Sequence, residues 1–169
     1  MTEPSWGRAR SAPVTWHDPS VTADAAPATT GLEFLGAIQH GVLPAPPVAA
    51  LFGLEMLEVE AGRVVFSCRA AETADNPIGT VHGGLGCTLA DTVTACAVHS
   101  TLEAGVGDTS IDLTVHHLRP VTTAGGAPVT TGAVTERGRR VAFSAAEIVE
   151  GTGRAVATAS SSCLVMGPG

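Results

Sequence analysis

The 169-residue chain contains no lysine and no tyrosine. Without lysine it has neither a Schiff-base nucleophile nor a phosphate-loop lysine, and without tyrosine no mechanism can use a tyrosine acid. Positive charge is scarce: nine basic residues face 16 acidic ones, for a formal net charge of −7. Binding to nucleic acid or to an anionic membrane draws on clustered Lys or Arg, so both partners are disfavoured. The four cysteines, Cys68, Cys87, Cys96 and Cys163, form no close pair at metal-ligand spacing, and each sits among apolar or small residues. They read as buried packing thiols in a reduced, cytoplasmic setting, with no metal site. Residues 1–30 hold no apolar run long enough for a secretory signal or a membrane span.

What is present suits one soluble domain with a sizeable core: 44% of residues are hydrophobic and 15% charged. Residues 1–30, rich in Pro, Ala, Thr and Ser, read as a loose N-terminal extension. Trp6 and Trp16 within it read as packing residues, adventitious or at a subunit surface. Residues 31–52 form a short helical segment and a Pro-rich link. Leu32 to Gln39 has helical spacing and Gly41 as a stop, before Pro44, Pro46 and Pro47. Such a piece commonly lids a pocket or covers a sheet edge.

The rest, 53–169, alternates strand and turn signals around one long helix. Leu54 to Val59 and Arg63 to Ala70 read as a hairpin turning at Ala61-Gly62. A helix from about His82 to Leu102 follows. Four further strands, Thr109 to Leu118, Ala127 to Glu136, Arg140 to Val149 and Arg154 to Val165, are separated by Gly- and Pro-containing turns. In the first, Ile111, Leu113 and Val115 alternate with Ser110, Asp112, Thr114 and His116, which places the two sets on opposite faces. This order predicts an α+β fold, an antiparallel sheet wrapped round one helix.

The chemistry concentrates in Asn76-Pro77-Ile78-Gly79-Thr80-Val81-His82-Gly83-Gly84, followed on the same helix by Asp91. The first N–H groups of a helix lack intrahelical partners, and the aligned peptide dipoles favour negative charge there. Gly83 and Gly84 have no Cβ, so an acyl oxygen could reach those donors. Asp91 lies about 200° round from Leu89, off the apolar stripe of Leu85, Leu89, Val93 and Cys96, and so faces solvent or a partner. Eight positions separate Gly83 from Asp91, roughly 12 Å along the axis. One helix cannot bring both to one substrate atom, and the simplest remedy is a two-fold dimer in which each site takes Gly83 from one copy and Asp91 from the other.

The element order, with Asn76, His82-Gly83-Gly84, Asp91, Thr109 and Arg119-Pro120, resembles the hotdog-fold thioesterases of the phenylacetate-pathway (PaaI-like) type over roughly residues 50 to 166. The resemblance implies a hotdog fold and hydrolysis of an alkyl or aryl acyl-coenzyme A thioester to free acid and coenzyme A, by homodimers that pair into tetramers. It further implies that Gly83 N–H polarises the thioester carbonyl, His82 braces the turn, and Asp91 is nucleophile or general base. Asn76 would position the attacker, and Thr109 would assist beside the acid. Arg119, Arg139 and Arg140, with Gly138 beside them, are candidates for the phosphates of the coenzyme, which enters only as part of the substrate. The chain departs from the pattern at His116-His117-Leu118, where relatives commonly carry aromatic residues, and in its first fifty residues.

Three competing readings share these residues. A hydratase or dehydratase of the same fold would need an acid and a histidine as a close proton-shuttling pair, whereas His82 precedes two glycines suited to carbonyl contact. A non-catalytic acyl-coenzyme A sensor would keep the pocket without turnover. A metal hydrolase would draw on His82, His99, His116, His117 and Asp112, but neighbouring His116 and His117 point to opposite faces of a strand.

Overall fold

Leu85, Leu89 and Val93 recur at helical spacing, and in the computed structural model, which describes residues 5–167, they are buried along one helix, Gly83–His99. Residues 1–4 of the expected extension and 168–169 of the expected domain lie outside the described residues. The helix ends three residues before the expected Leu102. Leu102 N–H turns back to the His99 carbonyl, and the Ser100 hydroxyl donates to Ala97 O while accepting from Gly62 N–H, which closes the last turn.

In chain order the elements are α1 (Ser20–Ala25), α2 (Gly31–Gln39), α3 (Pro47–Phe52), β1 (Leu54–Glu60), β2 (Arg63–Cys68), α4 (Gly83–His99), β3 (Gly107–His117), β4 (Val129–Arg137), β5 (Val141–Val149) and β6 (Ala155–Met166). The six strands form one antiparallel sheet in the order β1-β2-β4-β5-β6-β3. This is the expected α+β arrangement: α4 packs against five of the six strands, β2 through β6. The expected helix at Leu32 to Gln39 is α2, opened by a capping box between Thr30 and Glu33. It lies on β1 and so covers that edge of the sheet.

The small residues of α4 and β4 let the backbones meet. At Gly132 an added Cβ would stand 2.4 Å from the Val93 carbonyl oxygen and 2.6 Å from its carbon, inside any permitted contact. The strand therefore rests directly on the helix backbone. The core around this contact joins Val64 and Phe66 of β2, Ala90, Val93 and Ala97 of α4, Ala146 of β5 and Ala159 of β6. Ala157, Ala159 and Ser161 give the last strand the small inward side needed to pass beneath the helix.

Two expectations need correction. In β3, Leu113 and Val115 face inward, but Ile111 is 56% exposed. A bulge between Ser110 and Asp112 inverts the facing of the residues before it. Asp112 anchors that bulge: its Oδ1 accepts from Ser162 N–H at 3.1 Å, and its carbonyl accepts from the Ser161 hydroxyl at 2.8 Å. Of the four cysteines only Cys68 and Cys163 are buried; Cys87 and Cys96 lie on flanks of α4 that the sheet covers only in part. Trp6 and Trp16, 85% and 61% exposed, lie at the surface of the protomer and outside its core.

Two measurements follow from this packing. Gly132→Ala forces a methyl against the α4 backbone and should cost roughly 3 kcal/mol, lowering Tm by about 6–12 °C in a thermal melt. Burial pushes the Cys68 thiol up to about 11. At Cys96, whose residue surface is only partly covered but whose sulfur is desolvated by close-packed neighbours, desolvation reinforced by Asp108 and Asp91 gives about 12, and at Cys163 burial and Asp108 give about 11. A raised pKa leaves about one thiolate in a thousand or fewer at pH 8, so iodoacetamide should modify these three slowly in the folded chain and rapidly in urea, as read by mass spectrometry.

Candidate active site

The loop before α4 is built by the side chain of Asn76. Its Oδ1 accepts from Ile78 N–H at 3.0 Å and from Thr80 N–H at 3.2 Å, while Nδ2 donates to Thr80 Oγ1 at 2.8 Å. The turn closes through Gly79 at φ +77°, a conformation that suits glycine. Two backbone bonds then pin the helix start: Val81 N–H donates to Val121 O at 2.9 Å, and His82 N–H to Ala74 O at 2.8 Å. Within the protomer Asn76 is thus a loop brace, with both ends of its amide engaged.

His82 is the N-cap of α4, its Nδ1 accepting from Gly84 N–H at 2.8 Å. A ring nitrogen that accepts carries a lone pair, so the ring proton of the neutral imidazole sits on Nε2. Leu85 N–H is closed by His82 O. The Gly83 N–H has no partner among the described residues, and it points out of the positive end of a 17-residue helix. It is the donor left open for an incoming oxygen.

Beside it lies a residue the sequence reasoning did not place in the site. His117, at the end of β3, shares the inward face of Leu113 and Val115, and its ring lies across the first turn of α4. A Cβ on Gly83 would meet its Nε2 at 3.0 Å, and one on Gly86 its Cε1 at 3.3 Å. Cys87 Sγ is 3.9 Å from His117 Nε2. The period-two alternation counted forward from Leu113 carries the signal for this placement, since no bulge intervenes after Asp112.

His82, Gly83 and His117 stand at one side of a cleft of about 330 Å³, whose apolar wall includes Leu85, Leu89, Ile148 and Val156. Arg119 also lines it, and its Nη1 donates to Ala155 O at 2.7 Å. Outside the cleft, hydrogen bonds from Thr152 and Arg154 hold the Glu150 carboxyl below the usual range, with smaller contributions from the charges of Arg154 and Arg119.

The other sequence-derived residues lie elsewhere in the protomer. Asp91 is half-buried two turns down α4 from Gly83, and its carboxylate has no hydrogen-bond or ion-pair partner among the described residues. Thr109 is exposed, because the bulge sends Asp108 inward in its stead; Asp108 binds His99 Nδ1 at 2.8 Å. Gly138, Arg139 and Arg140 form the β4–β5 turn, where a Cβ on Gly138 would strike the Val141 carbonyl oxygen at 2.2 Å. That turn and Arg119 are at opposite ends of the sheet, separated by the length of β5, roughly 27 Å. One protomer cannot offer all three arginines to one phosphate group. Among the described residues no three His, Cys, Asp or Glu side chains converge as a metal cluster, and no helix is long and apolar enough to cross a membrane.

Comparison with known proteins agrees with this architecture. The thioesterase superfamily profile matches residues 78–157, from the loop before α4 into β6. Human acyl-coenzyme A thioesterase 13 is 30% identical over 105 residues, 62% of this chain and 74% of the relative. A phenylacetic acid degradation-related protein of Ralstonia eutropha JMP134 is 31% identical, with a TM-score of 0.71 over 76% of this chain and 97% of that one. The E. coli PaaI protein shares the fold, with a TM-score of 0.72 at 23% identity over 82% of this chain and 95% of its own. A six-stranded sheet closed on one central helix, with an open N–H donor at the helix start and matches of this kind, identifies a hotdog fold, and the chain belongs to the thioesterase superfamily.

Proposed function

We propose that this protein hydrolyses acyl-coenzyme A thioesters to a carboxylic acid and coenzyme A, using sites shared between two protomers. The observation that carries the reading is the Gly83 N–H, open at the head of α4 and facing an apolar cleft in a thioesterase-family chain. In the reaction, the thioester oxygen accepts from Gly83 N–H as negative charge develops on it. Asp91 of the facing protomer either removes a proton from the attacking water or attacks the carbonyl itself and is then released by water. Both routes break the C–S bond and yield acid and thiol. Asn76 holds the loop that aims the donor, and His82 holds its first turn. No further cofactor is needed, the coenzyme being part of the substrate.

Three features support the shared site. Asp91 is half-buried, yet its carboxylate has no partner among the described residues of its own protomer. The β1 edge of the sheet is covered by α2 and α3, whereas β3, paired with β6 on one side, is an 11-residue edge strand whose outer side no described element pairs. Such an edge is a template for a second chain. If two β3 strands meet antiparallel about a two-fold axis, the β4–β5 turn of one protomer approaches the Arg119 end of the other. Arg139 and Arg140 would then join Arg119 on the coenzyme phosphates across the dimer. A dimer of such dimers would cover Ile111 and Phe143, exposed on the outer side of the sheet, and the free thiols suit a reducing cytoplasm.

Assay of free thiol release is the direct test. Asp91→Asn should lower kcat by roughly 10²–10⁴-fold with little change in KM; unchanged turnover would refute the role of Asp91. Tight binding without turnover in the native protein would instead favour a sensor. Sharing has its own signature. A re-equilibrated equimolar mixture of Asp91→Asn and Gly83→Val proteins, each inactive alone, should recover about a quarter of native activity. Half the dimers are then mixed, and each mixed dimer has one intact site. No recovery would place both groups in one chain's site.

A further inference from the structure

A second cavity, of about 350 Å³, lies between α2, the Pro-rich link and the β1–β2 hairpin. Its size falls within the range of small-molecule pockets. Phe34 and Ile38 of α2 roof it, Met56 and Phe66 form its sheet wall, and Thr92 and Cys96 of α4 complete it. These last two place it directly after Asp91 in the helix.

Two of the polar side chains around this cavity are engaged elsewhere. Thr92 Oγ1 donates to Thr88 O at 2.8 Å, and Gln39 Nε2 donates to Leu57 O at 2.7 Å. The Cys96 thiol, pushed up to about 12 chiefly by burial, stays protonated. No arginine or histidine lines the space, and the single charged residue bordering it is the exposed Glu55. The cleft at Gly83 differs, since His82, His117 and Arg119 line it.

A thioester sends two arms from its carbonyl carbon, one acyl and one ending in the phosphates of the coenzyme. With the carbonyl between Gly83 of one protomer and Asp91 of the other, the cleft at Gly83 and the chamber after Asp91 flank it. The arm bearing phosphates matches the cleft that has the arginine. The remaining arm meets a largely apolar space that no Arg or His among the described residues lines and whose one bordering charge, Glu55, is negative, so a polar substituent would be desolvated with little compensation and a carboxylate would be repelled. We infer that the chamber beside Asp91 receives the acyl chain, that it selects aliphatic groups without polar substituents, and that Ile38 on α2 sets the length accepted. This rests on the shared-site reading above.

The test separates the two ideas by using coenzyme A thioethers, which bind but cannot be hydrolysed. Straight-chain thioethers from acetyl-like to dodecanoyl-like lengths, their ω-carboxyl and hydroxyl counterparts, and a phenylacetyl-like thioether are titrated calorimetrically into native, Ile38→Trp and Ile38→Ala proteins. Thiol release from the matching thioesters is measured in parallel. Affinity should rise about four-fold per methylene until the chamber is full, and an ω-carboxylate should abolish the gain. Ile38→Trp should move the end of the rise to shorter chains and Ile38→Ala to longer ones. The same length profile in all three proteins, or tighter binding of the polar-substituted or aryl analogues than of the alkyl series, overturns the chamber even where thiol release is intact. A length profile that shifts with Ile38 while no thiol is released keeps the chamber and refutes hydrolysis. Should Ile38→Trp not fold, Ile38→Ala carries the comparison alone.

Discussion

The backbone contact between α4 and the sheet is the constraint from which the rest of the structure follows. Gly132 lets β4 rest on the Val93 carbonyl, and the alanines of α4, β5 and β6 keep the neighbouring strands close enough to curl round the helix. A helix embedded in this way is rigid along its length. Its N-terminal N–H groups are therefore held in fixed directions, which is the condition for stabilising a developing charge without reorganisation.

That rigidity has to be matched at the helix start, where leaving a donor unfilled costs stability. The chain confines this cost to one group. His82 caps Gly84, the carbonyl of His82 closes Leu85, and the Asn76 loop with the Val121 and Ala74 bonds prevents the turn from rearranging to satisfy Gly83. The imidazole of His117 narrows the approach to the same donor from the strand side. The opposite end of the helix is tied differently, by the His99–Asp108 pair and the edge contact of Phe34 on His99, which joins α2 to the core.

Much of this was legible in the chain, though unevenly. The strand order, the central helix and the turn at His82-Gly83-Gly84 could be read because caps, glycines and period-two or helical spacing act over a few residues. The facing of Ile111 and Thr109 could not. It depends on a bulge held by Asp112 against Ser161 and Ser162, partners some fifty positions away. The same holds for Arg119 and the Arg139–Arg140 turn, which look like one basic group in the sequence but sit at opposite ends of β5. His117 was visible as a departure from an aromatic position, and its contact with Gly83 needed the register of β3 on β6.

By itself the sequence determined the types of element, the N-cap, the placement of Gly83 at a helix start and the eight-residue interval to Asp91. These are consequences of local hydrogen bonding and helical rise, and distant residues do not alter them. Only the tertiary structure decided that His117 covers the first turn, that Asp91 is left half-buried, its carboxylate without a partner among the described residues, and that α2 roofs an apolar chamber beside it. Each of those depends on strand register and on how the helices seat on the sheet, which are settled by packing between segments far apart in the chain.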